Sequence, residues 1–186
     1  MSRTLFTFSF FGMPTKVKFS VFLGLDAIAL ILALIAKFLF GFSVMDAIVV
    51  GIVGALLHGL SGVLHQYGHF LMARRSGYPS NGLIMWWILG TTLYPEDEGA
   101  LPPQIHIQRA SGGALMSGLV ALAVALVLFG LNPQGAIIRF LLGWVLLESL
   151  LVFTLGALLP PIEIGTFTND GAVILREWRK MRSQGQ

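Results

Sequence analysis

The chain has 186 residues, of which 55% are apolar and only 11% charged, with a formal net charge of +3 and no cysteine. A water-soluble domain carries about a quarter charged residues, so this composition excludes an ordinary soluble enzyme. The lack of cysteine excludes disulfides and thiolate metal sites. The basic residues cluster beside apolar runs, as membrane-topology signals do, and no nucleic-acid partner is expected.

The first residues lack the basic, apolar, small-residue order of a cleavable signal. TLFTFSF, residues 4–10, alternates in β fashion, and Gly12-Met13-Pro14 is expected to turn the chain. The first long apolar run covers about residues 19–42. About 20 helical residues cross the hydrocarbon core of a bilayer, so this run is long enough to span it. Asp26 and Lys37 interrupt it: Lys37 can snorkel to an interface, and Asp26 is expected to face other helices.

A second span is expected at about 45–75. Ser43 and Asp46 precede it in capping-box spacing, and Arg74-Arg75-Ser76-Gly77 ends it. Residues 78–104 have an apolar centre of about ten residues, too short to span. That centre is rich in aromatic and β-branched residues and predicts a hairpin or re-entrant segment, followed by the acidic loop Glu96-Asp97-Glu98. Trp86 and Trp87 within it read as interfacial aromatics. The third span, about 106–129, opens with His106 and Arg109 as interfacial anchors and small residues on its early turns, which let membrane helices approach closely. The fourth, about 136–158, is broken by Pro160-Pro161. A loop then reaches Asn169-Asp170-Gly171 and a basic final helix suited to anionic headgroups. The expected architecture is an all-α integral membrane protein of four transmembrane helices with a short membrane-associated β segment, forming a single membrane domain over residues 1–186. Basic residues before span one and after spans two and four place both termini in the cytoplasm.

The candidate chemistry lies in GVLHQYGHFLMARRSG. On a helix, His65 and His69 lie about 40° apart, one turn along, and can both present imidazoles to one ion. Zinc bound by imidazole commonly takes a third protein ligand, often a carboxylate, and keeps one position open. The topology returns Asp170 to the membrane face that carries the two histidines, and Gly171 leaves the backbone free to turn there. His58, seven residues before His65, is about 10 Å away along the helix, too far to share that ion. It reads as a buried hydrogen-bonded histidine first, and as a group supporting the ligands or lining a substrate channel second. Glu148 sits mid-span, where a carboxylate suggests function, a partner helix or protonation.

These motifs, taken in order, resemble the site-2 proteases, a family of intramembrane zinc metalloproteases. HQYGH stands where the family has HExxH. RASGGALMSG stands where it has an Arg-Ala stretch and Gly-Pro-x-x-Asn, with Ala114 in place of Pro and Ser117 in place of Asn. LLPPIEIGTFTNDGAVIL stands for its proline-broken helix ending in Asn/Leu-Asp-Gly, and FFGMPTKVKFS resembles its opening strand and turn. The resemblance implies that His65, His69 and Asp170 bind Zn2+ and that Gln66 occupies the place of the general base. It implies that residues 82–93 form a membrane-embedded β segment that pairs with an unwound transmembrane peptide substrate. Asn169 is left with two roles, a hydrogen bond to a substrate backbone or the shaping of its turn.

In HExxH enzymes the glutamate takes a proton from the attacking water and later returns it to the leaving amine. An amide cannot do this, and general acid–base catalysis is worth roughly 10²–10⁴-fold. Metal binding with little or no turnover is therefore expected. Gln66 fits a deliberate near-isosteric replacement of Glu or the drift of a natural pseudoprotease. The competing function is a non-catalytic subunit of a membrane-protein complex. A transporter is disfavoured, because four spans with one His/His/Asp set leave no evident polar path across the bilayer.

Overall fold

The computed structural model describes residues 3–164 and 167–184. Helices α1 (Ser20–Phe38) and α2 (Val44–Arg75) are followed by α3 (Pro103–Ala125) and α4 (Ala136–Leu147). Wider-turned π-helical segments, Leu126–Leu131 and Glu148–Gly156, continue the last two, and α5 (Asp170–Gln184) closes the chain. Four stretches are long and apolar enough to cross a membrane: Ser20–Phe38, Val44–Arg75, Pro103–Leu131 and Ala136–Gly156. The fold is that of an all-α integral membrane protein with a small sheet. The first helix ends earlier than its apolar run, at Phe38, and the Lys37 ammonium donates to the Phe42 carbonyl just past that end. The Ser43 hydroxyl caps α2 by accepting from the Asp46 amide at 3.1 Å.

A four-stranded sheet has the order β1 (Thr4–Phe10), β2 (Met13–Lys18), β3 (Gly82–Trp86), β4 (Leu89–Leu93). The first and last pairs are antiparallel, and β2 pairs with β3 in parallel, Thr15 opposite Leu83. The first turn is made by Phe11 and Gly12, at φ +44° and +83°, and not by Gly12-Met13-Pro14. Positive φ at both central positions is the type I′ hairpin turn, a conformation proline cannot adopt. Met13 and Pro14 therefore open β2, and Met13 is fully buried in a cluster with Val63, Phe70 and Leu83. The second hairpin runs beside α2. Its turn, Trp87-Ile88, rests on α1 at Gly24, where an added Cβ would meet the Trp87 carbonyl carbon at 2.6 Å.

Asp26 lies on the exposed side of α1 and does not face the other helices. The inward stripe belongs to Gly24, Leu32 and Ala36, and two residues on from Gly24 is about 200° around the helix. Helices α2 and α3 cross at Gly68 and Gly112. A Cβ on either would sit 2.8 Å from the other's carbonyl carbon, so this crossing needs hydrogen as the side chain on both helices.

Candidate metal centre

That crossing sets the site, because it lays α3 against the face of α2 that carries His65 and His69. The two Nε2 atoms are 3.2 Å apart. Asp170 Oδ2 lies 3.5 Å from His65 Nε2 and 3.4 Å from His69 Nε2. Both histidines are buried, Asp170 is half-buried, and these three form a group able to hold a metal ion. Asp170 Oδ2 is buried without a hydrogen-bond donor although it converges with the two Nε2 atoms, as a carboxylate oxygen aimed at a metal position would. A tetrahedral ion with bonds of about 2.0–2.1 Å has ligand–ligand edges of about 3.3–3.4 Å, which matches this triangle.

The outer nitrogens fix the rings. His69 Nδ1 lies 2.8 Å from the Arg109 carbonyl, and His65 Nδ1 lies 3.0 Å from Ser117 Oγ. A carbonyl only accepts, so His69 Nδ1 carries the proton and its Nε2 lone pair points into the centre. Gly113 admits the rings: a Cβ there would overlap His69 Nε2 and approach His65 Cε1 at 2.6 Å. The run SGGALMSG reads in sequence as generic small-residue packing. The structure gives Gly113 the narrower task of clearing space for both rings and gives Ser117, which stands in sequence only as a departure from a motif, a hydrogen bond to His65.

Asp170 is delivered by its neighbours. The Asn169 side-chain carbonyl accepts from the amides of Ile162 and Ala172, at 2.9 and 3.0 Å, and its amide group donates to the Pro160 carbonyl at 2.9 Å. Asn169 thus caps α5 and ties it to the loop, so its contacts are those of turn shaping. Gly171 lacks a positive φ. Its need is space, since an added Cβ would strike the backbone of Leu158.

Gln66 faces the cleft from the next position on α2. Its amide donates to the Gly90 carbonyl at 2.9 Å, and its side-chain oxygen accepts from the Thr92 hydroxyl at 2.6 Å. It therefore bridges α2 to β4. The cleft is about 430 Å³, lined by Gln66, His69, Asp170, Trp86, Tyr94 and Arg109 among others. Arg109 is buried and is no interfacial anchor. Its guanidinium donates to both Glu98 carboxylate oxygens at 2.6 and 2.8 Å and to the Tyr78 carbonyl at 2.6 Å, and it lies 4.3 Å over the Tyr94 ring. The acidic loop folds back to meet it. The hydrogen bonds from Arg109 hold the Glu98 carboxyl below its ordinary range. Burial pushes the Tyr94 phenol up to about 12, so it enters the cleft as a neutral donor. His106 is half-buried at the same cleft.

His58 and Glu148 stand apart from this centre. His58 Nδ1 contacts Glu148 Oε1, the Phe153 ring packs on both His58 and His65, and no third ligand joins the pair among the described residues.

No family model matches the chain, and no curated protein matches it. Among solved structures, the Site-2 Protease from Methanocaldococcus jannaschii is similar, with a TM-score of 0.59 and 22% identity, over 98% of this chain and 73% of that chain. The chain has the fold of that site-2 protease.

Proposed function

We propose that this chain is a zinc-binding member of that fold whose peptide hydrolysis is silenced or strongly impaired at Gln66. The observation that carries the reading is the triangle of His65 Nε2, His69 Nε2 and Asp170 Oδ2, with edges of 3.2–3.5 Å, opening on a cleft bounded by β4. Two neutral imidazoles and one carboxylate are a donor set that suits zinc and leaves a fourth position free. When bound there, zinc would polarise a peptide carbonyl and acidify water.

The chain's own residues prepare the rest. β4 ends the sheet and offers an edge on which an unwound transmembrane peptide can add a strand. Arg109 and Glu98 fold the acidic loop down beside the cleft, and Asn169 fixes the approach of Asp170. Gln66 holds β4 against α2 but cannot carry a proton from water to a leaving amine. The partners are then a transmembrane peptide and the lipid bilayer, within one membrane domain over residues 1–186 and with both termini in the cytoplasm.

A second reading, a pseudoprotease serving as a subunit of a membrane complex, is favoured by one contact. The Gln66 amide donates to the Gly90 carbonyl, a bond a carboxylate cannot make, so glutamine fits this position by its own chemistry.

Metal content of the detergent-purified chain tests the proposal, with His65→Ala and Asp170→Ala beside it. About one zinc per chain, lost in both variants, is expected. No zinc in the parent would overturn it. Cleavage of a membrane peptide by Gln66→Glu then favours the silenced protease, and zinc binding with no cleavage in that variant favours the pseudoprotease.

A further inference from the structure

Outside the metal centre, the chain buries a second titratable pair for which the proposed reaction has no use. His58 on α2 and Glu148, where α4 passes into its π-helical segment, are 8% and 3% exposed. Their contact joins residues 90 positions apart. Ionisable groups are costly within a membrane span and mark a task when they persist. The Phe153 ring, packed on the imidazoles of both His58 and His65, puts an apolar wall between this pair and the metal ligands. A proton relay to the centre is therefore not its task.

The other side of the His58 ring shows what the pair holds. His58 Nε2 lies 3.1 Å from the carbonyl of Ile88, in the turn between β3 and β4. That carbonyl can only accept, so Nε2 donates to it, and Nδ1 is left to face the Glu148 carboxyl. The ring is thus clamped from behind by Glu148 and grips the hairpin tip in front. Two more features converge on the tip: the Trp87 amide donates to Ser20 Oγ at 3.2 Å, and Gly24 lets the Trp87-Ile88 backbone lie directly on α1. Further along the hairpin, Gln66 grips Gly90 and Thr92. β4 is held to α2 at two levels, and His58 supplies the deeper one.

We propose that His58, braced by Glu148, is a positioning latch that fixes the β3–β4 hairpin against α1 and α2 and so sets where the β4 edge is presented. The use of that edge by a peptide rests on the function proposed above, but the latch itself does not.

The experiment is hydrogen exchange of the full chain in detergent, without peptide, followed over residues 82–93. His58→Leu should speed exchange there at least tenfold while α2 and α3 around the Gly68–Gly112 crossing keep the parent's rates. The double variant His58→Leu/Glu148→Leu removes the unpaired carboxyl, and apolar replacement of a buried pair is often neutral for stability. It cannot restore the bond to Ile88, so its hairpin should stay fast. Glu148→Gln should remain slow, because the new amide can donate to Nδ1 and leave Nε2–H for Ile88. The zinc content of all three should equal that of the parent, whatever the parent's value. Parent-like exchange in His58→Leu, return of the double variant to parent rates, or a uniform rise across α2 and α3 would each overturn the latch. A parent without zinc but with the expected exchange pattern would count against the proposed function and leave the latch standing.

Discussion

Gln66→Glu separates what this residue does for the structure from what it withholds from chemistry. The parent amide makes two hydrogen bonds, to the Gly90 carbonyl at 2.9 Å and from the Thr92 hydroxyl at 2.6 Å. A carboxylate keeps the second and sets an acceptor against an acceptor at the first. Leaving such a buried group unpaired costs about 1–3 kcal/mol. For a chain of this size that lowers the melting temperature by about 2–12 °C, taking about 2–4 °C per kcal/mol. The same change supplies the missing base, worth roughly 10²–10⁴-fold in rate. The variant should therefore melt earlier and cleave faster. The assay is a thermal melt in detergent beside gel quantification of cleavage of a tagged single-span peptide with a glycine–proline centre. Gln66→Ala serves as control, losing both bonds and gaining no base. If Gln66→Glu binds as much zinc as the parent yet cleaves no faster than Gln66→Ala, Gln66 does not stand in the place of a general base. If it melts at the parent's temperature, the Gly90 bond contributes nothing.

Other outcomes follow from single contacts. Ser117→Ala removes the partner of His65 Nδ1 and should weaken zinc affinity about 10–100-fold, the usual loss for such a supporting group, read by competition with a chelating dye. Gly68→Ala places a methyl against the Gly112 backbone and should cost about 1–3 kcal/mol by overpacking. Gly112→Ala should do the same, with the double variant departing from additivity, all read by thermal melts. The Glu98 carboxyl is depressed by Arg109, so the stabilisation it gives is complete above the unfolded glutamate value of about 4.3 and drains away as pH falls through the lower folded value. Melting temperature should thus fall more steeply toward pH 3.5 in the parent than in Glu98→Gln. Tyr94, raised to about 12, should remain un-ionised at pH 11, so Tyr94→Phe should leave the phenolate absorbance at that pH unchanged.

What the sequence made legible follows from the range of each interaction. Span lengths are local and set by bilayer thickness, so four apolar runs give four helices with ends shifted by a few residues. The His65–His69 pair is local too, fixed by one helical turn. Asp170 could be placed on the correct side by counting crossings. Arg109 could not be placed, because an arginine near a helix start reads as an anchor until the loop is known to fold Glu98 back onto it. Asp26 differs for the opposite reason: its charge suggests an inward side chain, whereas the inward stripe is taken by Gly24, Leu32 and Ala36. The Glu148–His58 contact and the β2–β3 pairing join segments remote in the chain, and neither leaves a period or a motif to read.

The parallel pairing of β2 with β3 also orders events during synthesis. β2 precedes α1 and β3 follows α2, so the two strands can meet only after the first helical hairpin has crossed the membrane and returned. Until then β1 and β2 form a two-stranded ribbon, marginal on its own, with the edge of β2 bare. Closure of that edge by β3 marks the moment when the first two spans are correctly threaded. A chain whose second span failed to insert would carry the bare strand on the opposite side of the bilayer from its partner, where a quality-control protease or an aggregating neighbour would find it.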